Sequence, residues 1–367
     1  MDGRRPRLTP AIADVRRAVR EGLAAAGLAE GTAVLVALSG GPDSLALAAA
    51  TAFEAPRAGI RAGAVIVDHG LQEGSDAVSE RVAGQARALG LDPVLVRRVE
   101  VAAGPASVTG GVEAAARDAR YAAIDEALAT TGAHAVLLGH TLDDQAESVL
   151  LGLARGAGAG SLAGMAAVTP PPGHDDHDHG HGGSRASGSV VPLGSRLRPL
   201  LGIRRAQTEA FCTDSDLTPW HDPHNDSERF TRVRVRRSVL PVLEAELGPG
   251  IAEALARTAE QLREDDETLH DMAIETIEDL VEHAEAGIAI SVGALEANPP
   301  ALRNRIIRYV VESEFGVALS RVQTVATAAL VTDWHGQKGV DLTGIRVVRQ
   351  GGRLVFSRAV RGDEREH

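Results

Sequence analysis

The feature that most limits the fold is a run of branched apolar residues that leads through two glycines into a helical pattern. Residues 33–38 read Ala-Val-Leu-Val-Ala-Leu, which is typical of a buried strand, and Ser39-Gly-Gly-Pro-Asp-Ser44 follows. Gly40 and Gly41 allow backbone angles that other residues avoid, so a tight turn fits here. The alanine-rich sequence after the turn predicts a helix. The segment therefore predicts a strand, a tight loop and a helix in succession.

This loop is suited to bind phosphate, because backbone N–H groups, the helix dipole and the hydroxyls of Ser39 and Ser44 would converge on one place. It is not a Walker loop, since it lacks the Gly-Lys-Ser/Thr ending. Asp43 would repel a phosphate unless a divalent cation lay between them, so we expect Mg²⁺ to bridge Asp43 and a nucleotide. The plainer alternative is a glycine-rich turn without a ligand.

Strand and helix patterns alternate around this loop. Further strands are predicted at 64–67, 93–96 and 135–138, and helices at 11–28, 75–89 and 111–130. This alternation predicts an α/β fold with a doubly wound, mainly parallel sheet. Ligands of such sheets bind at the carboxyl ends of the strands, where Ser39, Asp68-His69 and His140 fall.

The second half of the chain predicts a different architecture. A long helix is expected from Ile251 to about Glu285, with further helices at 301–314 and 320–332, and alternation about Gly351-Gly352 predicts a short C-terminal β-hairpin. We therefore expect four parts: an N-terminal helix (1–32), the sheet domain (33–245), a mainly helical domain (249–335) and a hairpin with a tail (336–367). Within the sheet domain, residues 170–189 are rich in His and Gly and are predicted to be a disordered insertion.

Composition limits the compartment and excludes several kinds of site. The single cysteine, Cys212, excludes an internal disulfide and a cysteine pair for metal or redox chemistry. No stretch is long and apolar enough for a membrane span, and the N-terminus lacks a signal-peptide pattern, so we expect a cytoplasmic protein without a membrane partner. The net charge of −12 is a weak guide to partners, because acidic residues are concentrated late and arginines cluster elsewhere.

Two pairs of polar residues are candidates for chemistry. His140 and Asp144 enter a helix after the fourth predicted strand, where an imidazole could contact a nucleotide and a carboxylate could hold a metal or accept a proton. The same pattern also occurs in ordinary helix caps. Glu113 and Arg117 are four apart on a helix, and the residues alone favour a simple ion pair over a substrate-binding role.

Taken together, the motifs resemble the tRNA(Ile)-lysidine synthase family of PP-loop ATP pyrophosphatases over about residues 33–245. The matching segments are Ser39–Ser44, Asp68–Leu71, Val112–Tyr121, His140–Glu147 with Arg155-Gly156, Arg198–Leu201, Asp222–Asn225, Arg232–Arg234 and Leu240–Leu243. Several motifs in one order are far more specific than any single one. The chain departs from the family pattern at Arg232-Val-Arg-Val-Arg236, where an asparagine is usual after the first arginine, and in its histidine-rich insertion.

The resemblance implies an adenine nucleotide alpha hydrolase-like fold and an ATP-dependent ligase. Such an enzyme adenylates the C2 carbonyl oxygen of the wobble cytidine of tRNA(Ile) with a CAU anticodon, joins L-lysine to C2 to form lysidine, and releases AMP and diphosphate. It also implies that Ser39, Gly40, Gly41, Pro42, Asp43 and Ser44 bind ATP, with Mg²⁺ at Asp43. The implied catalytic residues around cytidine, ATP and lysine are Asp43, Glu113, Arg117, His140 and Asp144.

The resemblance implies that basic residues after the insertion bind RNA. Arg205, Arg232, Arg234 and Arg236 are expected to contact tRNA phosphates, and the alternative for the run Arg229–Arg237 is a solvated helix face. Trp220 could stack on a base, although packing at a domain junction is the commoner role of a lone tryptophan. A homodimer is compatible with the sequence, which does not fix the oligomeric state.

Three other functions compete with this interpretation. A PP-loop tRNA thiolase activates the same kind of carbonyl but needs cysteines to deliver sulfur or hold an iron–sulfur cluster, and Cys212 stands alone. An amidating synthetase needs a source of ammonia, for which no segment is visible. A nucleotide-sensing protein without turnover would not form AMP in response to tRNA and lysine.

Overall fold

A computed structural model describes residues 8–70, 74–99, 111–156, 158–172, 190–221, 227–284 and 287–359, and for residues 111–114, 278–284 and 287 it gives the backbone alone. The contacts within the chain divide it into two units, Met1–Arg263 and Glu264–His367. Most of the predicted insertion, from residue 173 to residue 189, lies outside the described residues, as does the motif Asp222–Asn225.

A six-stranded sheet forms the centre of the first unit, in the order β3-β2-β1-β4-β6-β5. Its strands are β1 (Ala33–Ala37), β2 (Arg61–Asp68), β3 (Val94–Arg98), β4 (Ala135–Leu137), β5 (Val168–Thr169) and β6 (Ser195–Leu197). All neighbouring strands are parallel except β5 and β6, which pair antiparallel. The mainly parallel sheet is confirmed, while β5 (Val-Thr) and β6 (Ser-Arg-Leu) were not predicted because neither contains an apolar run like that of β4.

Helices cover both faces of this sheet. The α-helices up to residue 247 are α1 (Pro10–Ala25), α2 (Pro42–Glu54), α3 (Ser75–Ala88), α4 (Gly111–Thr131), α5 (Leu142–Ala154), α6 (Ala159–Leu162), α7 (Arg205–Asp214), α8 (Thr231–Arg234) and α9 (Leu240–Leu247). In β1, Val34 and Val36 belong to a core shared with α1 and α2, whereas Leu35 belongs to another core with Ile124 of α4. Successive residues of a strand face opposite sides, so this division shows the doubly wound arrangement.

The second unit combines helices with an antiparallel sheet. Its boundary falls within α10 (Ile251–Leu280), and the later elements are β7 (Val281–Ala284), β8 (Gly287–Ser291), α11 (Val292–Ala297), α12 (Pro300–Phe315), α13 (Arg321–Thr332), β9 (Val340–Leu342), β10 (Ile345–Gln350) and β11 (Arg353–Arg358). No helix among the described residues combines the length and apolar character needed to cross a membrane.

Two expectations for this unit have different outcomes. The predicted hairpin is confirmed as β10 and β11, and it lies within a five-stranded sheet in the order β7-β8-β11-β10-β9. The prediction that the long helix continues to about Glu285 is wrong, because α10 ends at Leu280. The next four residues form β7, which pairs antiparallel with β8, so strand pairing overrides the helical pattern there.

Candidate functional site

The loop between β1 and α2 is held by its own serine hydroxyls. The Ser44 hydroxyl accepts a hydrogen bond from the Ser39 N–H at 3.2 Å and donates one to the Gly41 carbonyl at 3.1 Å. The two serine oxygens are 3.0 Å apart. Since α2 begins at Pro42, the loop lies at a helix N-terminus, where unpaired N–H groups and the helix dipole favour an anion.

Two glycines bring neighbouring segments close to this loop. Gly40 has φ +86°, and a Cβ at this position would lie 2.5 Å from Val82 Cγ2 and 3.7 Å from Trp220 Cβ. Gly139, which follows β4, packs so closely that a Cβ there would be 3.1 Å from Ser44 Cα. The loops after the adjacent strands β1 and β4 therefore meet at the carboxyl edge of the sheet, where doubly wound proteins bind ligands.

A cavity of about 190 Å³ opens beside the loop at the ends of β1 and β2. Seven of its fifteen lining residues are aliphatic, and six are polar or charged, among them Ser39, Asp68, His69 and Arg120. This combination suits a flat, partly apolar ligand that is oriented by a few hydrogen bonds. The lining residues are Ala37, Leu38, Ser39, Val65, Ile66, Val67, Asp68, His69, Gly70, Ser75, Val78, Ser79, Val82, Arg120 and Trp220.

His69 lines this cavity, and its imidazole is neutral. Arg120 Nε donates a hydrogen bond to His69 Nε2 at 3.2 Å, so that nitrogen acts as the acceptor. Burial, reinforced by the charge of Arg120, lowers the pKa of His69. The adjoining Asp68 carboxylate accepts a hydrogen bond from the Gly70 N–H at 2.9 Å. His69 Nδ1 is buried and has no hydrogen-bond partner among the described residues.

Asp43 is held by side chains from α7. Arg205 Nε lies 3.2 Å from one carboxylate oxygen, and the Thr208 hydroxyl donates a hydrogen bond to the other. The Cys212 thiol, one turn further along α7, donates to the Pro42 carbonyl at 3.5 Å. Burial raises the pKa of Asp43, and the positive charge of Arg205 only partly opposes this effect.

Asp144 contacts the same arginine but is stabilised as an anion. It is the third helical residue of α5, where its Oδ2 accepts hydrogen bonds from the Thr141 N–H at 2.8 Å and the Thr141 hydroxyl at 2.9 Å. Arg205 Nη2 lies 3.0 Å from Oδ1. Burial would raise the pKa of Asp144, but Arg205 and the Thr141 N–H outweigh it, and the pKa is lowered.

Glu147, one turn further along α5, is fully buried and pairs with three arginines. Arg236 Nε is 2.7 Å, Arg232 Nε 2.8 Å and Arg205 Nη1 3.3 Å from its carboxylate oxygens. Arg232 also donates to the Ser148 hydroxyl at 2.8 Å. We use the term carboxylate–arginine cluster for the group of Asp43, Asp144, Glu147, Arg205, Arg232 and Arg236.

His140 lies beside this cluster as a neutral imidazole. Burial, together with the charges of Arg198, Arg232 and Arg117, lowers its pKa to about 4 despite the opposing charge of Asp144. Its Nδ1 atom is buried and has no hydrogen-bond partner in the described part of the chain. A neutral ring with an unused nitrogen can accept or donate one hydrogen bond to a ligand.

The structure brings most of the sequence-predicted site residues together, with two exceptions. Arg234 is outside the carboxylate–arginine cluster, since its guanidinium donates to the carbonyls of Glu228 and Arg229 and to the Thr231 hydroxyl. Glu113 lies in α4, and its side chain is outside the described residues, as is the ion pair predicted for it. The guanidinium of its expected partner, Arg117, lies 5.5 Å from the centre of a tyrosine ring in the same helix.

The described residues contain no group of three His, Cys, Asp or Glu side chains that could hold a metal by themselves. Mg²⁺ commonly takes only one or two protein carboxylates and completes its shell with phosphates and water. The two hydrogen bonds to Asp43 leave further lone pairs, because a carboxylate accepts at about four positions. Asp43 therefore fits a magnesium ion that arrives with a nucleotide.

Sequence reasoning missed several residues of the site. Thr208 and Cys212 follow Arg205 by three and seven positions, so the helical period could have indicated that all three share one face of α7. Glu147 stands in the sequence only as part of a motif, and no local signal tells that it is buried. Trp220 was expected to pack or to stack on a base, but its place beside the loop was not predicted, because it is distant in sequence from the other cavity residues.

Comparisons with known proteins agree with this arrangement. Residues 13–243 match a family described as a PP-loop domain, and residues 290–355 match the TilS substrate binding domain. The tRNA(Ile)-lysidine synthase of Leifsonia xyli subsp. xyli is 59% identical over 330 residues, covering 90% of this chain and 91% of that protein. The tRNA(Ile)-lysidine synthase of Salinispora tropica is 48% identical over 351 residues, covering 95% of this chain and 96% of that protein.

A solved structure, the U34-tRNA thiolase NcsA from Methanococcus maripaludis with its iron–sulfur cluster, has a TM-score of 0.55 and 18% identity. The match covers 69% of this chain and 80% of that one, and at this identity it shows the fold alone. The sequence relatives are far more similar and extend over both units. With such identity over most of its length, the chain belongs to the tRNA(Ile)-lysidine synthase family.

Proposed function

We propose that this protein is an ATP-dependent ligase that converts the wobble cytidine of tRNA(Ile) with a CAU anticodon into lysidine. The observation that carries the proposal is the meeting of the phosphate-binding loop and the carboxylate–arginine cluster through Asp43. A site for a triphosphate thus adjoins a site for charged reactants. The names of the sequence relatives give the substrate class.

ATP would lie with its phosphates on the loop from Ser39 to Ser44 and its adenosine in the adjoining cavity. Asp43 would hold Mg²⁺, which would neutralise phosphate charge when bound. The backbone N–H groups of the loop would orient the phosphates without any lysine, as the helix N-terminus favours anions. The residues concerned lie at the ends of β1 and β2 and in the first turn of α2.

The reaction needs a carbonyl oxygen to become a leaving group. In the first step, the cytidine C2 oxygen attacks the α-phosphorus of ATP, and diphosphate leaves. In the second, the lysine ε-amine, in its neutral form, attacks C2, AMP leaves with the former carbonyl oxygen, and the proton released from the nitrogen passes to solvent. Asp144, kept ionised by Arg205 and Thr141, suits the ammonium form in which lysine binds before it loses a proton, and neutral His140 can form a hydrogen bond with the reacting groups.

The tRNA would contact basic residues of the first unit and the region that resembles a substrate-binding domain, residues 290–355. We propose that Arg205, Arg232, Arg234 and Arg236 contribute phosphate contacts, and that Glu113 and Arg117 help to hold the reactants. We further propose a cytoplasmic protein that uses L-lysine and assembles as a homodimer. Sedimentation velocity of the purified protein tests the assembly.

AMP formation tests the proposed function. Purified protein is incubated with labelled ATP and Mg²⁺, with and without lysine and unmodified tRNA(Ile) bearing CAU. We expect AMP and diphosphate in amounts that depend on the tRNA, and stable attachment of labelled lysine to it. A matched tRNA with uridine at the wobble position is the control. AMP release that ignores both tRNA and lysine, or sulfur transfer to the tRNA, would contradict the proposal.

A further inference from the structure

We propose that Trp220 is a nucleotide-contacting residue, whose ring packs against the nucleoside of ATP while its backbone holds the phosphate-binding loop in place. The inference rests on the proposed function, because it assumes that ATP occupies the cavity beside the loop. It assigns a role to a residue that belongs to none of the motifs behind the family resemblance and lies in the segment after α7.

The backbone around Trp220 is fixed to two parts of the nucleotide site. Its N–H donates a hydrogen bond to the Gly40 carbonyl at 2.8 Å. Two residues earlier, the Thr218 carbonyl accepts a hydrogen bond from Gln85 Nε2 of α3 at 2.9 Å. Gly40, whose φ is +86°, is thus enclosed between Val82 of α3 and Trp220. The position of the loop therefore depends on this segment.

The side chain of Trp220 also has the right character for a ligand contact. Trp220 lines the cavity and is only partly buried. Apart from the His69 imidazole, it contributes the one aromatic ring among the described residues that line this cavity. Aromatic rings bind nucleobases of any identity through their faces, and a partly exposed indole that lines the cavity can supply this contact. The alternative role of Trp220, packing at a domain junction, would not require its hydrogen bond to Gly40 of the loop.

Fluorescence can report on this contact alone, because the chain has two tryptophans and one substitution leaves a single indole. The Trp334→Phe variant leaves Trp220 as the sole indole, and its emission is titrated with ATP and, separately, with inorganic tripolyphosphate. The amount of bound ligand is measured in the same samples by equilibrium dialysis. We expect the emission to change in step with ATP occupancy, and to change much less at equal occupancy by tripolyphosphate, which lacks the nucleoside.

Direct binding provides a second test. Trp220→Leu should raise the dissociation constant of ATP about tenfold, whereas Trp220→Phe should stay within about threefold of the parent protein. Circular dichroism and thermal unfolding establish that both variants are folded.

Three results would overturn the inference while leaving the proposed function intact. The first is bound ATP without any change in Trp220 emission, and the second is an equal response to tripolyphosphate at the same occupancy. The third is a folded Trp220→Leu variant that binds ATP as tightly as the parent. A parent protein that binds no ATP would overturn both the inference and the proposed function.

Discussion

Asp43 and Asp144 contact the same guanidinium and yet ionise differently. Arg205 lies 3.2 Å from the first carboxylate and 3.0 Å from the second. Asp144 also receives two hydrogen bonds from Thr141, which favour its charged form, whereas burial dominates at Asp43 and raises its pKa. The two carboxylates therefore change stability in opposite directions when both are ionised. Asp144, with its lowered pKa, stabilises the folded state, whereas Asp43, with its raised pKa, opposes folding.

Asp43→Asn tests whether the loop carboxylate serves catalysis at a cost in stability. Asparagine keeps the size: its one amide oxygen can accept the hydrogen bond from Arg205, and its NH2 group can donate to the Thr208 hydroxyl, which can donate instead to the Arg205 carbonyl. A neutral amide cannot hold a cation well. We expect tRNA-dependent AMP formation to fall by about 100-fold or more, with a melting temperature at pH 7 equal to or above the parent value. Normal turnover, or clear destabilisation, would contradict the role given to Asp43.

Asp144→Asn should have the opposite effect on stability. The folded-state pKa of Asp144 lies below its ordinary value of 3.8, so its stabilising contribution is present above that pH and is lost as the pH falls through the folded-state pKa. We expect the substitution to lower the free energy of unfolding by about 1–3 kcal/mol at pH 7. The difference between variant and parent should shrink in strongly acidic solution, which urea unfolding at several pH values measures.

At the scale of elements, one glutamate joins α5 to the helical run at 231–247. A π-helical turn at Val235–Val239 separates α8 from α9, and Arg232 and Arg236, four positions apart, both reach Glu147. Such turns are frequent at functional sites. Two guanidinium groups of the basic run Arg229–Arg237 therefore pair with the buried Glu147. We expect them to stabilise the domain, and they are also candidates for RNA contact.

Glu147→Gln tests this connection. Three arginines would lose their shared carboxylate, so we expect a loss of about 3–5 kcal/mol in the free energy of unfolding. The control is Glu267→Gln on α10, an exposed position that should stay within about 0.5 kcal/mol of the parent. Equal unfolding curves for the two variants would show that the pairs contribute little.

Arg234 offers a cleaner test of RNA binding than its neighbours. Its hydrogen bonds go to two backbone carbonyls and the Thr231 hydroxyl, so its removal leaves no buried charge unpaired. We expect Arg234→Gln to weaken tRNA binding and to reduce the salt slope of the binding constant by about one. Filter binding across a range of salt concentrations measures both. An unchanged slope would favour the solvated-face interpretation of this residue.

The sequence predicted the helices and strands of the fold better than it predicted the contacts of the site. Apolar runs placed β1 to β4, and helical spacing placed most helices, within a few residues of their observed bounds. It could not show that Thr208 holds Asp43, because 165 positions separate them, or that Trp220 reaches Gly40, which is further away still. Nor could it reveal β6, because its residues, Ser-Arg-Leu, form no apolar run and the strand is evident only from its pairing with β4 and β5.

For the molecule as a whole, the net charge of −12 and the proposed RNA substrate place opposite demands on the surface. The acidic residues repel RNA at long range, so basic residues must bind it locally. We therefore place the charged chemistry at the carboxyl edge of the first sheet, where arginines already concentrate. The two units contribute separately: the first holds the PP-loop, and the second includes the region similar to a substrate-binding domain.

The most direct test of the proposed function is nucleoside analysis of the reacted tRNA by mass spectrometry. Protein, ATP, Mg²⁺, isotopically labelled lysine and unmodified tRNA(Ile) with a CAU anticodon are combined, and the wobble nucleoside is isolated. We predict a cytidine derivative that carries one labelled lysine in place of its C2 oxygen, formed only when ATP is present. An unmodified cytidine after complete ATP-supported incubation with folded protein would contradict this prediction.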